Sequence, residues 1–163
     1  MNQEAGNKFQ LTREIISRSE ASDWENAKSE WDLDRVEQLD PHEGLPETCL
    51  CGHYPILELC WLRNRLNGNE ALVGNVCVKR FMGLPSDALF VSIKKVKLDN
   101  LAAFNAEMIM FAHRNRWISE WELKFYSNTW RKRKLSERQS AVRKRINQNI
   151  LVGLLESSKR RSQ

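Results

Sequence analysis

The 163-residue sequence predicts an α+β fold, and three observations carry that prediction. Two strand-like runs flank Asn67-Gly68-Asn69, apolar residues in the last third recur every three or four positions, and all four cysteines fall between positions 49 and 77. The expected layout is a metal-stabilised β-hairpin module, preceded by an N-terminal helix and followed by a basic three-helix region. In segments this gives an acidic helical stretch at 1–48, the hairpin module at 49–98 and basic helices at 99–163, together forming one compact unit. With 41% apolar and 29% charged residues, such a chain can bury a core without disulfide staples.

Residues 1–10 are polar and contain Gly6, so they read as a loose end, and helical character begins with LTREIISRS from Leu11. Ser22 with Glu25 matches a capping box ahead of Trp24, Ala27 and Trp31, which predicts a helix over about Asp23 to Trp31. DLDRVEQLD is compatible with a strand or a continued helix, and PHEGLP at 41–46 is punctuation. PILELCWLRNR and ALVGNVCV then form a hairpin around a tight turn at Asn67-Gly68-Asn69, and Gly83-Leu84-Pro85-Ser86 breaks the chain again. ALFVSIKKVKL fits either a strand or a short helix followed by a strand.

Three helices are expected after it. Asp99 caps a segment with Leu101, Phe104, Met108 and Phe111, and Ser119 with Glu122 caps one carrying Trp121, Phe125, Tyr126 and Trp130. Ser136 with Gln139 caps a third, whose Val142, Ile146, Ile150 and Leu154 form an apolar stripe suited to a buried face. The aromatics of the second helix are core at this spacing, or base-stacking groups if exposed.

Charge is distributed unevenly. Basic residues number five against twelve acidic ones over 1–48, seven against five over 49–113, and fourteen against four over 114–163. The basic third has the electrostatic footprint of a nucleic-acid binder, or of a solvated face, while the acidic front can dock a basic partner. The candidate phosphate contacts are Arg131, Lys132, Arg133, Lys134, Arg138, Arg143, Lys144 and Arg145, with Lys159-Arg160-Arg161 beyond them. Because Val142, Ile146 and Ile150 occupy one stripe, Arg143, Lys144 and Arg145 cannot share a face. Arg63, Arg65, Lys79 and Arg80 either extend this track onto the hairpin or simply solvate it.

Cys49-Leu50-Cys51-Gly52-His53 followed by Cys77 supplies thiolates and an imidazole at the spacing of a knuckle with a returning ligand, as a tetrahedral zinc ion requires. Gly52 permits the sharp turn between ligands two residues apart. Cys49, Cys51 and Cys77 are three expected ligands. The fourth is His53, favoured, or Cys60, which strand pairing about Gly68 would place roughly opposite Cys77; Cys60 also reads as a small buried hydrophobe.

These residues resemble a family of small zinc-binding proteins of bacteria and bacteriophages. The likeness rests on CLCGHYPI, then Asn64, then VGNVCVKRF, covering residues 49–81, with flanks at Trp24, Ala27 and Trp31 and at WISEWELKFYSNTWRKRKLSERQ, including Leu135-Ser136 and Gln139. The resemblance implies bound zinc, a phage or mobile-element setting, and a part in nucleic-acid transactions.

The sequence holds no phosphate-binding loop, no H-E-x-x-H and no G-x-S-x-G, and its three histidines are scattered, so no catalytic residue is expected and the protein reads as a non-enzyme. No small-molecule substrate is evident. No run approaches the roughly eighteen apolar residues of a membrane span, and no signal segment opens the chain, so a cytoplasmic protein is expected, in the host cytoplasm if phage-encoded. The expected partner is nucleic acid, DNA first, or else a host protein for which the chain is an adaptor or inhibitor.

Overall fold

The computed structural model describes residues 2–159. The fold is α+β, with a three-stranded antiparallel sheet and seven helices among the described residues. The chain divides into two compact units, residues 1–86 and 87–163, so the acidic front and the cysteine module belong to the same unit.

The first unit opens with α1 (Gln3–Ser17). The expected loose end is therefore helical: the Asn2 side chain accepts from the Glu4 N–H and starts the helix, and Leu11 and Ile15, one turn apart, are fully buried. α2 (Trp24–Ser29) is capped by Asp23, whose carboxylate accepts from the Asn26 N–H, rather than by Ser22. Trp31 lies outside it, at the start of β1 (Trp31–Gln38), which resolves DLDRVEQLD as a strand.

β1 pairs antiparallel with β2 (Glu58–Asn64), and β2 pairs with β3 (Glu70–Gly74). Val36, Cys60 and Val73 stand in register across the sheet, and all three are buried. On the opposite face Arg35 lies over the Trp61 ring at 5.1 Å, and Arg63 pairs with Glu70 at 2.8 Å. The connection is a wider loop than a two-residue turn. The Asn64 side-chain oxygen accepts from the Leu66 and Asn67 N–H groups, and Gly68 takes a φ of 77°.

A buried carboxylate ties these pieces together. Glu30 accepts from the Glu20 N–H at 2.9 Å, the Ala21 N–H at 2.7 Å and the Asn64 amide at 2.6 Å. Burial alone would raise its pKa, but those donors outweigh burial and hold the group below the ordinary carboxylate value.

After β3 the chain departs from the expected continuous strand. Asn75–Cys77 forms a helical turn, α3, that runs into a π-helical turn at Val78–Met82 and ends at Gly83, whose φ is 69°. The strand stops where Asn75 turns inward. Its amide donates to Glu58 at 2.7 Å, and its oxygen accepts from the buried Ser86 hydroxyl at 2.6 Å.

The second unit is helical. ALFVSIKKVKL lies in α4 (Ser86–Leu98), whose buried Leu89, Phe90, Ile93 and Val96 follow the helical period. α5 (Ala106–Arg114) starts later than expected. Its cap is Asn105, whose side-chain oxygen accepts from the Met108 N–H, while Asp99 forms a local turn by accepting from the Leu101 N–H. α6 (Glu120–Thr129) has the expected reciprocal capping box of Ser119 and Glu122. In α7 (Glu137–Lys159), Ser136 and Gln139 cap each other in the same way.

The buried face of α7 differs from the expected stripe. Ile146 and Ile150 are buried, but Val142 and Leu154 are only half-buried, and Arg143, Asn147, Gly153 and Ser157 complete the face. Gly153 is required there, because a Cβ on it would land in the Trp117 ring. Tyr126 donates from its hydroxyl to Asn147 at 2.6 Å and accepts from the Phe104 N–H at 2.8 Å, while Asn147 donates to the carbonyls of Asn100 and Ala102. This network pins the loop between α4 and α5.

Candidate metal centre and basic surface

Three of the four cysteines meet at one point. The sulfurs of Cys49, Cys51 and Cys77 all lie within 4.8 Å of one another, and all three residues are buried. They arrive from separate pieces of backbone, Cys49 and Cys51 from the knuckle and Cys77 from α3.

The knuckle is built by short-range bonds. The Cys49 N–H donates to the His53 carbonyl at 2.9 Å, the Gly52 N–H donates to the Cys49 carbonyl at 2.8 Å, and Gly52 takes a φ of 93°. It hooks onto the outer edge of β3. The Leu50 N–H donates to the Leu72 carbonyl at 3.0 Å, and the Gly74 N–H donates to the Cys49 sulfur at 3.2 Å. Leu72 and Gly74 are two residues apart, so their backbone groups face the same side of the strand. From the other direction the Gln10 side chain donates to the Leu50 carbonyl at 3.4 Å, bringing α1 onto the knuckle.

The electrostatics favour one thiolate among the three sulfurs even without an ion. A hydrogen bond from the Cys77 thiol, aided by N–H groups of Gly74 and Cys51, pulls Cys49 down to about 5 against the opposing effect of burial. Cys77 is raised because it is the donor to that thiolate and because it is buried. Burial pushes Cys51 up, partly countered by the His53 N–H, 3.4 Å from its sulfur.

This donor set fits a thiophilic metal ion. A tetrahedral ion with sulfur at about 2.3 Å separates its sulfurs by roughly 3.8 Å, so capture asks for movements on the order of 1 Å. Neither proposed fourth ligand lies in the three-sulfur group. His53 is exposed, although its backbone N–H and carbonyl both bond within the knuckle. Cys60 is on the buried face of the sheet beside Val36 and Val73, and Cys77 does not stand opposite it, because β3 ends at Gly74. Burial pushes the Cys60 thiol up to about 12, with Ser86 opposing.

The basic candidates divide. Arg131, Lys132, Arg133 and Lys134 are exposed in the segment between α6 and α7, and Arg138, Lys144 and Arg145 are exposed on α7. Arg143 is not a surface residue, being only 4% exposed. Its guanidinium donates to the Thr129 carbonyl at 2.6 Å and the Leu101 carbonyl at 3.4 Å, and it lies 5.4 Å from the centre of the Tyr126 ring. Arg143 thus caps the carbonyl end of α6, where a cation suits the helix dipole. Arg145 approaches Glu122 at 3.9 Å. Lys159 is described, whereas Arg160 and Arg161 lie outside the described residues.

On the hairpin side, Arg63 pairs with Glu70 and Asp34, Arg65 with Asp32 and the Ser29 carbonyl, and Arg80 with Glu4. These cations are engaged within the protein, which favours the solvating role over an extension of the track.

Sequence reasoning missed the Gly74 N–H, the Gln10 contact and the structural role of Arg143. No helix among the described residues is long and apolar enough to cross a membrane. Comparison of the chain with models of known families, with curated proteins and with solved structures finds no match.

Proposed function

We propose that the protein is a small zinc protein that contacts nucleic acid, an accessory factor in DNA transactions of a phage or mobile element. Zinc is held by Cys49, Cys51 and Cys77, with His53 swinging in as the fourth ligand. A closed Cys/His set makes the ion structural, joining the knuckle to β3 and α3. The phage setting is drawn from the sequence resemblance alone.

One observation carries the nucleic-acid reading. Seven exposed cations, Arg131, Lys132, Arg133, Lys134, Arg138, Lys144 and Arg145, occupy a fifteen-residue stretch in which Glu137 is the one acid. Among the described residues, all but Arg145 lack a carboxylate within salt-bridge reach. Unpaired cations at this density release counterions from a phosphate backbone, giving affinity that falls steeply with salt. Such contacts position the protein on nucleic acid without reading bases.

The test is fluorescence anisotropy of the zinc-loaded protein with labelled DNA and RNA across a salt series. The expected result is affinity linear in log salt, with a slope that shrinks when Lys132, Arg133 and Lys134 are replaced by alanine. Absence of binding at low salt overturns the reading and leaves a host-protein adaptor as the alternative.

A further inference from the structure

We propose that α6 presents a stacking face for unpaired bases, so that the nucleic acid engaged is single-stranded; this rests on the nucleic-acid reading above. The central residue is Trp121. It is 57% exposed although it is among the largest apolar side chains, and its ring lies parallel to that of Phe125, at 5.5 Å and 18°. Phe125 is half-buried and supports the indole from one side. The next residue, Tyr126, is fully buried, so the helix has an aromatic anchor in the core without using Trp121.

The surroundings suit a polyanion with exposed base faces. Lys124 and Asn128, three and seven residues beyond Trp121, are exposed on the same side of α6. Glu120 flanks the indole but is paired with Lys124 at 3.5 Å, and Glu122 is occupied by the capping box and by Arg145. At the end of the helix the Arg131 guanidinium covers the half-buried Trp130 ring at 4.5 Å, and Lys132, Arg133 and Lys134 follow. Trp130 lies about 14 Å further along the axis than Trp121 and, at about 3.6 residues per turn, on the opposite side of the helix. A strand that stacks a base on Trp121 and follows Lys124 and Asn128 to the end of α6 would bring its phosphates to Lys132, Arg133 and Lys134.

Duplex DNA cannot use this face, because its bases are already stacked on one another, whereas an unpaired base has a free π-face that an exposed aromatic ring can take.

The experiment compares a labelled oligothymidine with a hairpin duplex of matched charge, using zinc-loaded full-length protein as wild type, Trp121→Ala, Trp121→Phe, and the Lys132/Arg133/Lys134 alanine variant. The expected result is tighter binding of the single strand by wild type, a loss of about fivefold or more for Trp121→Ala, retention of most affinity by Trp121→Phe, and little change for the duplex. Thermal melting of Trp121→Ala at the wild-type temperature establishes that the loss is not unfolding. The inference is overturned if wild type binds duplex as tightly as single strand, or if Trp121→Ala binds oligothymidine as wild type does. If the basic variant still loses affinity in those cases, the nucleic-acid reading survives without the stacking face. If wild type binds neither probe at low salt, the underlying reading itself has failed.

Discussion

The Gly74 backbone N–H points at the Cys49 sulfur from 3.2 Å, so the outer edge of β3 supplies a hydrogen bond to the cysteine knuckle. An N–H donor to a thiolate stabilises the charged form that binds metal, and a hydrogen bond to a charged group contributes about 1.5–3 kcal/mol. Gly74 has φ −68°, which proline adopts without strain. Gly74→Pro removes the donor while keeping the backbone angle, and its Cδ, in the place of the N–H hydrogen, also crowds the Cys49 sulfur, so both effects weaken the site. Gly74→Ala serves as its control, since any Cβ there meets Ile56 at 3.1 Å. Competition with a chromophoric chelator should show the proline variant holding zinc about tenfold more weakly than the alanine variant. Equal retention would remove the N–H from the account.

The fourth ligand is decided by paired substitutions. His53→Ala should weaken zinc retention strongly, because the exposed imidazole two residues beyond Cys51 is the donor proposed to swing in. Cys60→Ala should leave one zinc per chain, since its thiol lies among Val36 and Val73 on the buried face of the sheet. Metal analysis after exhaustive dialysis distinguishes the two variants. The reverse pattern would assign the ligand to Cys60.

Cys60 also has a pH signature. Its folded pKa is raised to about 12 from an unfolded value of 9.0. The folded state then holds the proton more tightly, so the stability it contributes is complete below about pH 9 and is lost as pH rises toward 12. The slope approaches about 1.4 kcal/mol for each pH unit in that window. Denaturant unfolding at successive pH values should show this decline in wild type and a shallower one in Cys60→Ala, the difference isolating Cys60 from Tyr126, whose hydroxyl burial also raises. Parallel declines would show that the Cys60 thiol is not held neutral by burial.

Arg143 separates stability from binding. Arg143→Ala leaves the Leu101 carbonyl without this donor and the Thr129 carbonyl with the Lys132 N–H alone, and opens space beside Tyr126, which should cost about 2–4 kcal/mol. At a temperature where the variant remains folded, its affinity for nucleic acid should match wild type. Lys144→Ala is the converse case, with unchanged melting and a smaller salt slope. A binding defect in stable Arg143→Ala would return Arg143 to the contact surface.

Local chemistry made much of this legible in the sequence. The meeting of the C-x-C-G knuckle with a returning Cys77 follows from the spacing of the cysteines, and the caps at Ser119 and Ser136 from reciprocal side-chain bonds to nearby N–H groups. The end of β3 was not legible, because it depends on Asn75 reaching Glu58 and Ser86, which are remote in sequence. That single departure moves Cys77 off the sheet and away from Cys60. In α4, β-branched residues suggested a strand, although Leu89, Phe90, Ile93 and Val96 already carried the helical period. In α7 the buried positions 143, 146, 150, 153 and 157 alternate steps of three and four, but arginine, glycine and serine at three of them disguised the face. A stripe spaced strictly by four drifts around the helix, which is why Val142 and Leu154 slide to its margins.

The most direct test of the central claim is zinc content per folded chain, measured by elemental analysis on purified full-length wild type, Cys77→Ser and Cys60→Ser, with melting temperatures taken alongside. The account predicts one zinc in wild type and in Cys60→Ser, and zinc loss with a lowered melting temperature in Cys77→Ser. Wild type that is folded yet takes up no zinc, or Cys77→Ser that retains it fully, would contradict the claim that Cys49, Cys51 and Cys77 form a zinc centre.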